Sequence, residues 1–120
     1  MKILLLSLLL LVTWPLYAAE TSPAVGSEPV YLVTAELWAR PRSAAAVADM
    51  QPVRQAVQSL ISRDNARLVM RFPGGEDGSI WAEELQSWLV ALGIDPIMIE
   101  MRPGSDRSDQ IELTIQGNNL

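Results

Sequence analysis

The sequence predicts an α+β domain, with two helices packed on one face of a small mixed β-sheet in the order β-α-β-α-β-β. Three observations lead there. Apolar residues recur at helical spacing in two separate segments, they alternate with period two in several others, and turn-forming clusters such as Pro73-Gly74-Gly75 and Arg102-Pro103-Gly104-Ser105 stand between them. Two helices that each carry one apolar stripe can bury both by lying together on one face of a sheet.

The chain opens MKILLLSLLLLVTWPLYAAE: one basic residue at Lys2, an apolar run from Ile3 to Val12 broken only by Ser7, Pro15, and small residues at Ala18 and Ala19. A run of about 10 apolar residues is short of the roughly 20 that span a bilayer, so residues 1–19 read as a secretory signal peptide cut after Ala18 or Ala19. An uncleaved anchor is the alternative. Residues 20–29, polar and punctuated by Pro23 and Gly26, form a flexible leader, and residues 30–116 form a single domain followed by a short tail at 117–120. The protein is therefore expected to be periplasmic or secreted, and not an integral membrane protein once the signal is removed.

Val30 to Trp38, VYLVTAELW, is rich in β-branched and aromatic residues and reads as the first strand, ended by Ala39-Arg40-Pro41-Arg42. Ser43 to Asp49 is alanine-rich and could open a helix. Pro52, which is tolerated only in a first turn, places the start of the main helix there instead. Beyond it Val53, Ala56, Val57, Leu60 and Ile61 line one face, with Arg54, Gln55, Gln58 and Ser59 opposite.

Arg67 to Phe72, RLVMRF, alternates as a strand does and stops at Pro73. The second helix carries Trp81, Leu85, Trp88, Leu89 and Leu92 on its stripe, with Ser79 as candidate N-cap and Gly93 closing it ahead of Ile94. Asp77, Glu83 and Glu84 lie toward its N-terminal half, where the helix dipole favours acids. Ile97 to Met101 and Gln110 to Ile115 complete the sheet. In the last of these Ile111, Leu113 and Ile115 face inward and Glu112, Thr114 and Gln116 outward.

Charge and composition exclude several function classes. The formal net charge is −5, and Lys2 is the only lysine, so eight arginines face fourteen acids after the signal. An acidic chain argues against nucleic acid, which requires a basic face, and against docking on anionic lipid. Cys 0 rules out disulfides and lipidation at a cysteine, and with His 0 it removes the usual catalytic base and the strongest nucleophile. No Gly-x-Ser-x-Gly elbow is present, and Glu83 and Glu84 diverge on a helix and do not form a hydrolytic dyad. The chain is not expected to be an enzyme, to hold a metal or to use a cofactor.

The segments "DMQPVRQAVQSL", "ARLVMRFPG" and "WAEELQSWLVALGIDPIMIEMRPGS" together resemble the OmpA-like C-terminal domain family over roughly residues 30–116. The resemblance implies a periplasmic domain that associates with peptidoglycan. In that family an aspartate in a Gly-His-Thr-Asp type turn and an arginine opening the second helix hold the charged ends of diaminopimelate. Here the turn is Phe72-Pro73-Gly74-Gly75, its acids are Glu76 and Asp77, and Trp81 stands at the place of the arginine. Without a cation there, a ligand carboxylate loses its bidentate partner, and Arg71 or Arg102 would have to replace it.

The candidate binding residues are accordingly Glu76, Asp77, Trp81, Arg71 and Arg102. The Gly74 to Ser79 loop lacks the Gly-Lys-Ser/Thr ending of a phosphate loop and the ligand spacing of a calcium loop, so a tight turn with an acidic helix start is the plainer reading. Trp38 and Trp81 sit at element ends, where a ring can cap the core edge or anchor a partner. Trp88 belongs to the core stripe, and Arg40-Pro41-Arg42 is either a solvated bend or a contact for an acidic partner. The expected role is a non-catalytic accessory module contacting an envelope protein, with divergent peptidoglycan binding as the alternative.

Overall fold

The computed structural model describes residues 28–117. The segment expected to be a signal peptide, its expected cleavage site, most of the expected leader and residues 118–120 lie outside the described residues. The fold is α+β: a four-stranded mixed sheet with four α-helices. The strands β1 (Val30–Thr34), β2 (Ala66–Phe72), β3 (Ile99–Pro103) and β4 (Gln110–Gly117) are ordered β1-β4-β2-β3, so the last strand of the sequence lies inside the sheet. β4 pairs antiparallel with both β1 and β2, and β2 pairs parallel with β3.

The first strand is shorter than its composition suggests. It ends at Thr34, and Ala35–Trp38 form a single helical turn, α1. Thr34 Oγ1 accepts from the Leu37 amide at 3.2 Å, and this cap, with helix-forming Ala35, Glu36 and Leu37 behind it, outweighs the β-propensity of the preceding run. A second short helix, α2 (Ala44–Asp49), is capped by Ser43, whose hydroxyl accepts from Ala46 N at 3.1 Å. Both halves of the 43–61 segment are thus helical. Met50, with φ −58° and ψ 121°, breaks them apart just ahead of α3 (Gln51–Ile61), as expected for a residue two positions before Pro52 in a new first turn.

α3 buries Val53, Ala56 and Leu60. Ile61, expected on the same stripe, is 73% exposed at the last position of the helix. α4 (Glu76–Ala91) begins one turn earlier than Ser79. Its buried line is Gly78, Ala82, Leu85 and Leu89, and Trp81 and Trp88 flank that line half-buried. The C-terminus closes in a Schellman motif: Gly93, at φ 105°, donates to Val90 O at 3.0 Å and Ile94 donates to Leu89 O at 3.0 Å, with Ile94 buried behind.

β3 also starts later than expected. Pro96–Met98 form a 3-10 turn capped by Asp95, whose carboxylate accepts from Ile97 N at 3.0 Å, and Ile97 is left 86% exposed. At the far end, Gly117 belongs to β4 and not to the tail.

One apolar cluster joins every layer: Val33 from β1, Leu68 and Met70 from β2, Ile99 from β3, Ile111, Leu113 and Ile115 from β4, and the buried residues of α2, α3 and α4. Each fully buried Leu or Ile is worth about 1.5–3 kcal/mol, so this shared cluster is the main term holding helices to sheet. The alternation of β4 matches its sequence: Ile111, Leu113 and Ile115 are buried and Glu112, Thr114 and Gln116 only partly covered.

Candidate functional site

The residues singled out by sequence fall into two groups on different parts of the fold. Glu76, Asp77 and Trp81 lie in the first turns of α4, and Arg71 and Arg102 lie on β2 and β3.

At the entry to α4 the glycines answer to packing. Gly75 takes φ 95°, a left-handed conformation that side chains disfavour, and stands at the N-cap position; its carbonyl accepts from both the amide and the hydroxyl of Ser79, at 3.1 and 3.0 Å. Gly78 is buried, and a Cβ there would overlap the Pro73 carbonyl. The turn after β2 is also fastened to the turn after β3, since Gly104 N and Ser105 N both donate to Phe72 O at 2.9 Å. Glu76 and Asp77 are exposed in the first turn, where the unsatisfied amides of a helix start favour negative charge.

Behind this turn stands an aromatic corner. The rings of Trp38 and Trp81 are 6.3 Å apart at 34°, and Trp38 is only 8% exposed. Arg42 lies over Trp38 at 4.7 Å, donates to the Trp38 carbonyl at 2.7 Å and reaches both carboxylate oxygens of Glu84 at 2.8 and 3.4 Å. The arginine of the Arg40-Pro41-Arg42 bend therefore clamps α1 to α4. Glu84 is its partner and Glu83 stays exposed, as their divergence on the helix requires. Trp81 Nε1 is buried without a hydrogen-bond partner, which costs on the order of 1–3 kcal/mol.

The second group faces the other way. Register places Arg71 directly beside Arg102 across the parallel β2–β3 pair and beside Glu112 across the antiparallel β2–β4 pair. These three, with Thr114 and Gln116, wall a cavity of about 200 Å³ on the sheet face opposite the core, with Val30 and the 3%-exposed Val69 completing it. Arg102 is held by Glu100, at 3.1 Å from Nε and 3.0 Å from Nη2, and Arg67 meets the same carboxylate at 3.5 Å. Arg71 has no ion-pair or hydrogen-bond partner among the described residues. Two adjacent guanidiniums, one of them making no ion pair though Glu112 lies beside it, suit a carboxylate or a phosphate taken in fork geometry.

Sequence reasoning found Arg71 and Arg102 separately but not their adjacency, and it missed Glu112 and Thr114 as neighbours. Glu76 and Asp77 do not line the cavity. A wider cleft of about 500 Å³ lies between α1 and the α2–α3 junction, lined by Leu37, Pro41, Met50 and Pro52 with Arg40 and Asp49 among its walls.

Elsewhere on the surface, Arg107 grips Asp109 through Nε at 3.0 Å and Nη2 at 2.9 Å. That hydrogen bonding holds the Asp109 carboxyl below its usual value and raises Arg107. Among the described residues no group of three or more His, Cys, Asp or Glu could hold a metal ion, and no helix is long and apolar enough to cross a membrane. No family model matches the chain, and no curated protein or solved structure matches it either.

Proposed function

We propose that the chain is a small exported, non-catalytic binding or accessory module of OmpA-like architecture, acting at the cell envelope through a protein partner. Two long helices sharing one core with a mixed sheet support that architecture, and the apolar N-terminal run supports export. The observation that carries the binding role is Arg71, without an ion pair among the described residues, beside Arg102 in a concave part of the open sheet face. Such a pair recognises an acidic group, and the partner segment is accordingly one that presents a carboxylate. The corner at Trp81 is occupied by the protein's own Trp38, Arg42 and Glu84 contacts and is assigned to stability.

The test is affinity capture from an envelope fraction of the source cells with the natural protein and with the Arg71→Ala/Arg102→Ala double variant. A protein recovered by the first and lost by the second is the expected result. Equal recovery by both removes the open face from the binding role.

The second reading, a divergent peptidoglycan-binding domain, is favoured by the same arginine pair with Glu112 across from Arg71, which supplies a cation for a stem-peptide carboxylate and an acid for its amine. It uses Glu112 where the sequence pointed to Glu76 or Asp77. Cosedimentation with purified sacculi that is abolished by Arg71→Ala supports it, and a chain that stays in the supernatant removes it.

A further inference from the structure

The register of the sheet lays out its open face row by row. One row across the strands runs Leu32, Glu112, Arg71 and Arg102, and the next runs Val30, Thr114, Val69 and Glu100. With Arg67, which pairs with Gln116 below them, these rows bring together three arginines and two glutamates. The face thus carries a surplus of one positive charge on a chain whose formal net charge is −5.

The two glutamates stand differently. Glu100 accepts from Arg102 Nε at 3.1 Å and meets Arg67 at 3.5 Å, so its charge is taken up by those neighbours and it fixes the Arg102 guanidinium. Glu112 forms no ion pair among the described residues. Its Oε1 accepts from Gln110 Nε2 at 3.4 Å, and its carboxylate stands in the wall of the cavity that Arg71 and Arg102 also line.

A carboxylate in the wall of an anion site weakens every anion, but not equally. Attraction and repulsion by fixed charges grow in proportion to the ligand's charge, whereas the cost of taking the ligand out of water grows with the square of that charge. A surplus of one positive charge therefore offsets the desolvation of a monoanion and falls short for a dianion. Size narrows the ligand further: about 200 Å³ is below the roughly 300 Å³ at which pockets begin to enclose whole drug-sized molecules, so the cavity admits the end of one side chain. Val69 and Val30 offer apolar surface to the methylenes of such a chain.

We infer that Glu112 is the specificity-determining residue of this cavity. It admits the singly charged carboxylate of an aspartate or glutamate from a protein partner and rejects the doubly charged phosphate of a phosphorylated side chain. The inference rests on the binding role proposed for the open face and narrows its ligand.

NMR titration of the isotopically labelled full chain tests it, with sodium acetate and inorganic phosphate as probes at matched ionic strength and about pH 8, where phosphate is a dianion. The side-chain signals of Arg71 and Arg102 and the amides of β2 and β3 are followed. The natural chain should take acetate at least about 10-fold more tightly than phosphate. Glu112→Gln should tighten acetate about 10-fold and phosphate about 100-fold, because the repulsion removed is proportional to the ligand's charge, and the preference disappears. Glu83→Gln, which removes the same charge from the exposed surface of α4, should leave the preference as it was. Circular dichroism reports whether the variants keep the fold, and the preference of the natural chain is decisive without them. Phosphate bound as tightly as acetate by the natural chain, equal gains for both anions in Glu112→Gln, or the same change in Glu83→Gln overturns the selectivity and leaves the capture result for the arginine pair standing. A natural chain in which neither anion moves the Arg71 and Arg102 signals overturns it together with the binding role of the face.

Discussion

Phe72 and Arg71 are neighbours on β2, and they belong to opposite worlds. Phe72 turns into the core beside the corner where β2 passes into α4, and Arg71 turns out onto the open face of the sheet. The corner is dense with the residues that usually flag a site: three glycines, two acids and a tryptophan within a few positions. The open face announces itself with nothing in the sequence beyond alternation. In three dimensions the corner is packed around the Trp38–Trp81 pair, with Trp81 Nε1 as its orphaned donor, and the open face brings Arg71 and Arg102 side by side. Conspicuous composition marked a place where backbone must approach backbone, whereas the concentration of unused chemistry depended on which strands became neighbours.

That contrast can be broken by measuring how much stability each region carries. The largest effect is expected at Trp38→Ala, which removes a nearly buried ring and the stage for both Trp81 and Arg42. A loss of about 3–5 kcal/mol in urea unfolding is the prediction, and a loss below about 1 kcal/mol would make the corner a surface ornament. Gly78→Ala follows, at about 1–3 kcal/mol, because the added methyl meets the Pro73 carbonyl and α4 must shift. Arg42→Ala should cost up to about 1 kcal/mol, the ion pair with Glu84 being partly exposed and discounted for solvent screening.

On the open face, Arg71→Ala should change stability by no more than about 0.5 kcal/mol, since the side chain has no partner to lose. An effect as large as that of Arg42→Ala would erase the distinction between the two regions. The smallest expected signal is a pH effect far from both. Asp109 is held below its usual value in the folded state, so its contribution is fully present above about pH 4 and is lost as the pH falls through the lowered folded value. Asp109→Asn should remove that small contribution at neutral pH and leave stability unchanged below the lowered folded value, so the gap to the natural protein closes along the acid limb; a gap that persists undiminished in acid would point to a different cause.

Periodicity made most of the architecture legible before any coordinates. Leu68 and Met70, Ile111, Leu113 and Ile115, and the stripes through Val53–Leu60 and Leu85–Leu89 all point where their spacing says. Local hydrogen bonding decided what spacing could not: Thr34 converted the end of a β-rich run into a helical turn, and Asp95 delayed the start of β3 by two residues. The candidate site was legible only as separate residues. Arg71 and Arg102 are thirty-one positions apart in the chain, and only the parallel register of β2 and β3 makes them neighbours. Arg42 and Glu84 are likewise joined by the folding of α1 against α4, which no local pattern encodes.

The place of β4 has a consequence for how the chain must assemble. It is the last strand in the sequence and lies between β1 and β2, so neither of those can complete its ladder until residues 110–117 are at hand. Local helices and the β2–α4–β3 unit can form as the chain emerges, but closing the sheet is a single late event spanning nearly the whole domain. A chain interrupted before β4 therefore presents two strand edges, on β1 and β2, beyond those the finished sheet leaves open, and shortening β4 by a few residues should slow folding more than removing as much from any loop.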